Sequence, residues 1–181
     1  MKKTFLFLLF SLINYIYVNA QIFSSKTGIV SFYSATPIED IKAKSKNVVV
    51  AINIQNKQVV FIIYNTAFEF ENKMMQEHFN EKYMESEKFP RSTFNGKIND
   101  ELDLSKNGTY TISVNGKLTI HGVEKERNIA GTIDVKDGKL QISSALKIKI
   151  ADHNISIPSL VKSNISEFID VKIDATLLPK N

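Results

Sequence analysis

With 181 residues, 43% of them hydrophobic, the chain is long enough to bury one core and fits one domain. It has no cysteine, which excludes disulfides, a thiol nucleophile and thiolate metal sites. Its 23 basic and 19 acidic residues are mixed along the sequence without a basic run, which argues against a nucleic-acid partner.

The first 20 residues read as a secretory signal peptide. Lys2 and Lys3 precede an apolar run from Phe5 to Phe10, extended by Leu12, Ile13, Tyr15, Ile16 and Tyr17. Val18-Asn19-Ala20 then supplies the cleavage signal, with the cut expected after Ala20. A retained anchor would need a longer apolar stretch, about 20 residues, so no stable membrane insertion is expected. With no cysteine at the cut, a lipoprotein anchor is excluded. The mature domain, residues 21–181, starts at Gln21 and carries 21 basic against 19 acidic residues.

In chain order, Ile29 to Ser34 forms a short first strand, broken by Thr36-Pro37. Ile38 to Ala43 continues as an irregular edge strand, where proline is tolerated. Val48, Val50, Ile52 and Ile54 recur with period two and predict a strand. Gln55 to Lys57 is a polar turn. Val59 to Tyr64 is apolar on both faces, as in a central strand or one lining an interior with its back covered. Phe68 and Phe70 extend the alternation. The period then changes: Met74, Met75, His78, Phe79 and Tyr83 share one face of a helix from Asn72 to about Met84. Asn72 is its N-cap and Lys88-Phe89-Pro90 ends it.

Thr93 to Ile98 is the next strand, and Asn107-Gly108 is a turn signal. Tyr110, Ile112, Val114, Leu118 and Ile120 share one face of a long strand that reverses at Gly122 after His121. Ile129, Ile133 and Val135 line the following strand, and Asp137-Gly138 is a strong hairpin signal. Leu140, Ile142, Ser144, Leu146, Ile148 and Ile150 alternate strictly. After a looser stretch from Asp152 to Ser163, Ile169, Val171, Ile173, Ala175 and Leu177 form the last strand.

These strands are long. Twelve residues span about 40 Å at about 3.3 Å each, whereas about 5–6 residues is common. Long meandering strands coil and leave long edges unless the sheet closes. Gly116 and Gly131 allow tight curvature within strands. The expected fold class is all-β with one or two helices, a closed or nearly closed antiparallel barrel, with a β-sandwich as the alternative.

Three segments carry a resemblance. Met75-Gln76-Glu77-His78-Phe79-Asn80-Glu81, running on through Tyr83-Met84-Glu85 to Lys88-Phe89-Pro90, is similar to the YceI-like family of exported lipid-binding proteins. Gly116-Lys117-Leu118-Thr119-Ile120-His121-Gly122-Val123 is a second match. Ile29-Val30-Ser31-Phe32 through Thr36-Pro37-Ile38-Glu39-Asp40-Ile41 is a third and weaker one. They fall in the family's order across nearly all of the mature chain. The resemblance implies an extended, eight-stranded, lipocalin-like antiparallel barrel whose elongated apolar cavity takes a polyisoprenoid or similar amphiphile. It implies a periplasmic or secreted location, no cofactor, and room for a homodimer. Glu124, where the family often has threonine, and Lys82, where asparagine is common, depart from the pattern.

The residues expected to line the cavity follow from strand parity and the helix face: Ile54; Val59, Phe61 and Ile63; Phe68 and Phe70; Met75, His78 and Phe79; Ile112, Val114 and Ile120; Ile133; Ile142 and Leu146; and Ile173. Met74, Met75, Phe79 and Tyr83 fit either a filled core or the cap of a cavity, where methionine adapts to flexible chains. His78 fits either a head-group contact or a packed ring bonded to backbone. His121, at a strand end, fits either a ligand or metal contact or a side chain that pins its turn through a backbone carbonyl. His153, in a polar loop, is expected to be exposed. The three histidines have no short spacing of the metal-binding kind. No nucleophile elbow, phosphate loop or dinucleotide pattern occurs. Glu77, Glu81 and Glu85 read as a solvated helix face rather than acid–base pairs. No catalytic residue is assigned. Besides lipid binding, two other readings fit: an envelope interaction or stress module with a solid core and no ligand, and an enzyme acting on a lipid or small molecule.

Overall fold

Antiparallel hairpins follow one another along almost the whole of the computed structural model, which describes residues 22–180. The residues read as a signal peptide and the expected cleavage site lie outside the described residues. The strands are β1 (Ile22–Ala35), β2 (Asp40–Asn53), β3 (Gln58–Tyr64), β4 (Glu69–Phe70), β5 (Arg91–Ile98), β6 (Gly108–Ile120), β7 (Val123–Lys136), β8 (Lys139–Lys149) and β9 (Phe168–Pro179). Between β4 and β5 lies α1 (Lys73–His78), which runs directly into a π-helical turn, Phe79–Tyr83. Two 3₁₀ turns, Ile150–His153 and Ser159–Asn164, separate β8 from β9.

The strand order is β1-β9-β8-β7-β6-β5-β3-β2, and β2 pairs back onto β1. Eight strands therefore close an antiparallel barrel, and the sandwich alternative falls away. Closure removes the exposed edges that such long strands would otherwise present. β4 is a two-residue appendage on β2, pairing Ala43 with Phe70.

Two tight hairpins fix the second half. His121-Gly122 and Asp137-Gly138 have φ of +51° and +71°, and +51° and +70°, in that order. Positive φ at both central residues is the type I′ geometry that matches strand twist. Gly116 and Gly96 face each other across the β5–β6 ladder. A Cβ at Gly116 would fall 2.5 Å from the Asn95 carbonyl oxygen, so only glycine permits this approach.

The first half corrects the sequence reading. β1 starts at Ile22, seven residues before the expected strand, and β2 starts at Asp40 and pairs with β1 rather than lying on an edge. Pro37 sits in the β1–β2 turn, held by Glu39 N–H donating to Thr36 Oγ1 at 3.0 Å. The register slips twice, between Ser25 and Gly28 and between Gly28 and Val30. Each bulge flips side-chain parity, so the inward residues Phe23, Val30, Ser45 and Val48 do not keep one period. Phe68 and Phe70 do not extend β3 either; the 3₁₀ turn Asn65–Ala67 intervenes.

The barrel half farther from α1 is solid. Leu140 and Leu177 are fully buried there, with Phe23, Ile98 and Val135 packed around them.

Candidate functional site

The other half of the barrel encloses a cavity of about 510 Å³, within the range of about 300–1,000 Å³ usual for small-molecule sites. Its walls come from inward positions: Val30 and Phe32 on β1, Val59, Phe61 and Ile63 on β3, Ile112, Val114, Leu118 and Ile120 on β6, and Ile169, Val171 and Ile173 on β9. β8 adds Ile142, Leu146 and Ile148. Period two places each set on one face, so a row of apolar residues from each strand meets in one void.

The end near α1 is capped. Asn72 starts the helix as expected, its Oδ1 accepting from Met74 N–H at 2.9 Å. The helical face then delivers Met74, Met75, His78, Phe79, Tyr83 and Met84 to the void. Continuing as a π-turn rather than an α-helix, the chain makes the wide bond from Met84 N–H to Phe79 carbonyl at 2.8 Å. Phe79 joins Phe32, Phe68 and Phe70 in a four-ring cluster with centroids 5.1–5.6 Å apart. Such stacked, tilted and edge-on pairs add to simple burial. A second part of the cap, Ile155, Ile157, Val161 and Ile165, comes from the segment between β8 and β9.

Of the sixteen expected lining residues, fourteen face this void: Val59, Phe61, Ile63, Phe68, Phe70, Met75, His78, Phe79, Ile112, Val114, Ile120, Ile142, Leu146 and Ile173. Two do not. Ile133 points inward but is fully buried, below the void. Ile54 lies past the last residue of β2, where the chain turns, and packs on the core without reaching the void. Parity was right for both; their height along the barrel axis was not. The cap residues Ile155, Ile157, Val161 and Ile165 were missed, although Ile155-Ser156-Ile157 alternates in the manner of a strand facing an interior.

The polar groups separate by role. Asn65 and Ser92, both buried, satisfy each other at the rim: Ser92 Oγ–H donates to Asn65 Oδ1 at 2.9 Å, and Asn65 Nδ2–H donates to the Phe89 carbonyl at 2.6 Å. Glu39 accepts from Asn164 Nδ2–H at 3.1 Å. His78 lines the void, and its ring makes no hydrogen bond among the described residues.

His121 lies outside the void and pins its turn. Its Nδ1 is 3.1 Å from the His153 carbonyl oxygen and its Nε2 is 2.7 Å from Glu85 Oε2, with the ring edge-on to Phe89. Glu85 is therefore not part of a solvated helix face. It sits beyond the helix with φ +43° and turns its carboxylate to His121. His153 is a clear correction: it is fully buried, not exposed. The Ile150–His153 turn, closed by Asn154 at φ +56°, swings the ring inward, where Nδ1–H donates to the Val123 carbonyl at 3.1 Å. Nε2 is buried without a partner, and burial pushes the imidazole below its ordinary value of 6.5.

Among the described residues, no group of three or more His, Cys, Asp or Glu is placed to hold a metal ion. No described helix is long and apolar enough to cross a membrane.

The sequence pattern described as the YceI-like domain matches residues 21–177. The chain belongs to the YceI-like family. Solved structures share the fold of this YceI-like domain. A polyisoprenoid binding domain from Saccharophagus degradans, implicated in plant cell wall breakdown, aligns over 89% of this chain and 99% of its own, with TM-score 0.76 and 13% identity. BcnA of Burkholderia cenocepacia aligns over 83% and 95%, with TM-score 0.65 and 16% identity. The Campylobacter jejuni YCEI protein aligns over 81% and 90%, with TM-score 0.63 and 23% identity. No curated protein sequence matches this YceI-like chain.

Proposed function

We propose that this YceI-like protein is exported to the periplasm or secreted, and that it holds the apolar chain of an amphiphile in its barrel cavity for transport or storage. A polyisoprenoid or a related lipid is the ligand class. The observation that carries the reading is the void itself. Its walls are predominantly Ile, Val, Leu, Phe and Met, so water in it has few partners and a hydrocarbon chain is the suitable occupant. A structural relative described as binding a polyisoprenoid supports the choice of class.

The energetics are sufficient. Burial contributes about 0.8 kcal/mol per CH₂, so a chain of about 15–20 carbons gains roughly 12–16 kcal/mol gross. Ordering the chain and losing its free motion removes a large part of that. No covalent bond or buried charge pair is needed. His78, with an unpartnered ring at the cap, supplies a polar contact for the ligand's head group.

Native mass spectrometry of the full-length protein, purified from cells without detergent, tests the reading. The expected result is a mass excess that organic extraction removes and that reappears on incubation with geranylgeraniol. Lipid-free protein that takes up no isoprenoid would sink the reading and leave a barrel that serves as an interaction module.

A further inference from the structure

The barrel wall is not complete. The β6–β7 ladder runs its full length, from Gly108–Val135 to Ile120–Val123, and the β8–β9 ladder runs to Lys149–Phe168. Between β7 and β8 the pairing runs only from Lys136–Lys139 to Gly131–Ser144. Among the described residues, no pair joins residues 123–130 of β7 to residues 145–149 of β8. Each strand is held by its outer neighbour, and the seam between them opens.

Both ends of the opening are built. At its lower end, Ser144 Oγ–H donates to the Ala130 carbonyl at 2.7 Å, so a side chain takes the place of the next ladder bond. Gly131 lets β8 close in there; a Cβ would meet the Ser143 carbonyl oxygen at 2.9 Å. At its upper end, the Ile150–His153 turn is tied to β7 by Arg127 Nη2–H to Asp152 Oδ2 at 2.9 Å and by the His153–Val123 bond. Five unpaired residues on β8 make a slit about 15 Å long.

The cavity reaches into this slit. On β1, β3, β6 and β9 its lining residues keep one parity, as expected of an interior wall. On β7, the inward Ile129 and Gly131 and the outward Ala130 and Thr132 all line it. On β8, the outward Ser143 does so beside Ile142 and Ser144. Ala130, Thr132 and Ser143 are exposed to solvent. Together with the missing rungs, these outward positions place the void against the opening. Thr93 of β5 also touches the void from an outward position, but there both ladders are complete, to Ile62 and Thr119, and no gap accompanies it.

Resting on the lipid-binding reading above, we infer that the slit between β7 and β8 is a lateral portal through which the ligand's apolar chain enters and leaves the barrel. The far end is solid core, and the four-phenylalanine cluster and the helical cap crowd the axial end. A flexible chain passes sideways without dismantling either.

The absence of native cysteine makes a staple clean. Continuing the β7–β8 register by one rung places Ala130 opposite Ala145, both facing outward, so Ala130→Cys with Ala145→Cys bridges the slit without filling the cavity. Asn115→Cys with Asn128→Cys, on the intact β6–β7 ladder, is the control staple. Stopped-flow fluorescence with cis-parinaric acid reads loading and release, with oxidised and reduced forms compared. The portal predicts that the oxidised slit staple slows both at least tenfold, that reduction restores them, and that the control staple changes neither. Equal rates in oxidised and reduced slit variants, or equal slowing by the control, would overturn the portal while leaving lipid binding intact. Wild-type protein that binds neither this probe nor geranylgeraniol would instead overturn the binding reading and the portal with it. If mass spectrometry finds the slit disulfide unformed, Ala130→Cys alkylated with fluorescein maleimide plugs the same opening. The same slowing is then expected, and unchanged rates refute the portal.

Discussion

His153 carries a consequence that its loop sequence conceals. Its ring is fully buried, Nε2 has no partner, and burial holds the imidazole below its ordinary value of 6.5. The unfolded chain therefore binds a proton that the folded chain resists. The stabilising contribution is complete above about 6.5 and is lost progressively as pH falls through the lowered folded value. Thermal melts followed by circular dichroism should show the midpoint dropping between pH 7 and pH 5, and His153→Gln should flatten that dependence. An identical pH profile in the two proteins would contradict this placement of the ring. Asp152 and Asn154 on either side suggest an exposed loop, and no local pattern announces that Asn154 adopts a left-handed conformation and turns the histidine inward. By contrast, Phe61, Ile112 and Ile142 were legible at once, because period two on a well-paired strand leaves only two faces to choose between.

At the level of elements, the helical segment was readable from its face and its cap, but not its change to a π-turn. That change depends on the wide Phe79–Met84 bond, for which no residue type is diagnostic. Its effect is to seat Phe79 among Phe32, Phe68 and Phe70. Phe79→Ala should cost about 2 kcal/mol in urea unfolding. That is below the roughly 3–5 typical of a buried phenylalanine, because the ring already borders a void and is only partly buried. Unchanged stability would show that the cluster is not packed as described. The first strands were the least legible elements. Two bulges break the parity of β1 and β2, and a bulge erases the periodicity from which a strand is recognised. The segment after β8 was hidden for a related reason: Ile155 and Ile157 lie in a short irregular stretch between two 3₁₀ turns, with no long period to detect.

For the whole molecule, closure follows from strand length and hairpin chemistry, and these the sequence carries openly. What it did not carry is where along the axis the core changes from solid to hollow. Ile133 and Ile142 are cross-strand partners of the same inward parity, yet one is packed in the solid half and the other faces the cavity. That boundary depends on how all eight strands converge, and so does the parting of β7 from β8. The central claim is that the hollow half holds a hydrocarbon chain. A crystal structure of the protein loaded with geranylgeraniol tests it most directly. Continuous ligand density among Phe61, Ile112, Ile142 and Ile173 is the predicted result. A cavity that stays empty under saturating ligand, or a chain bound only on the outer surface, would contradict it.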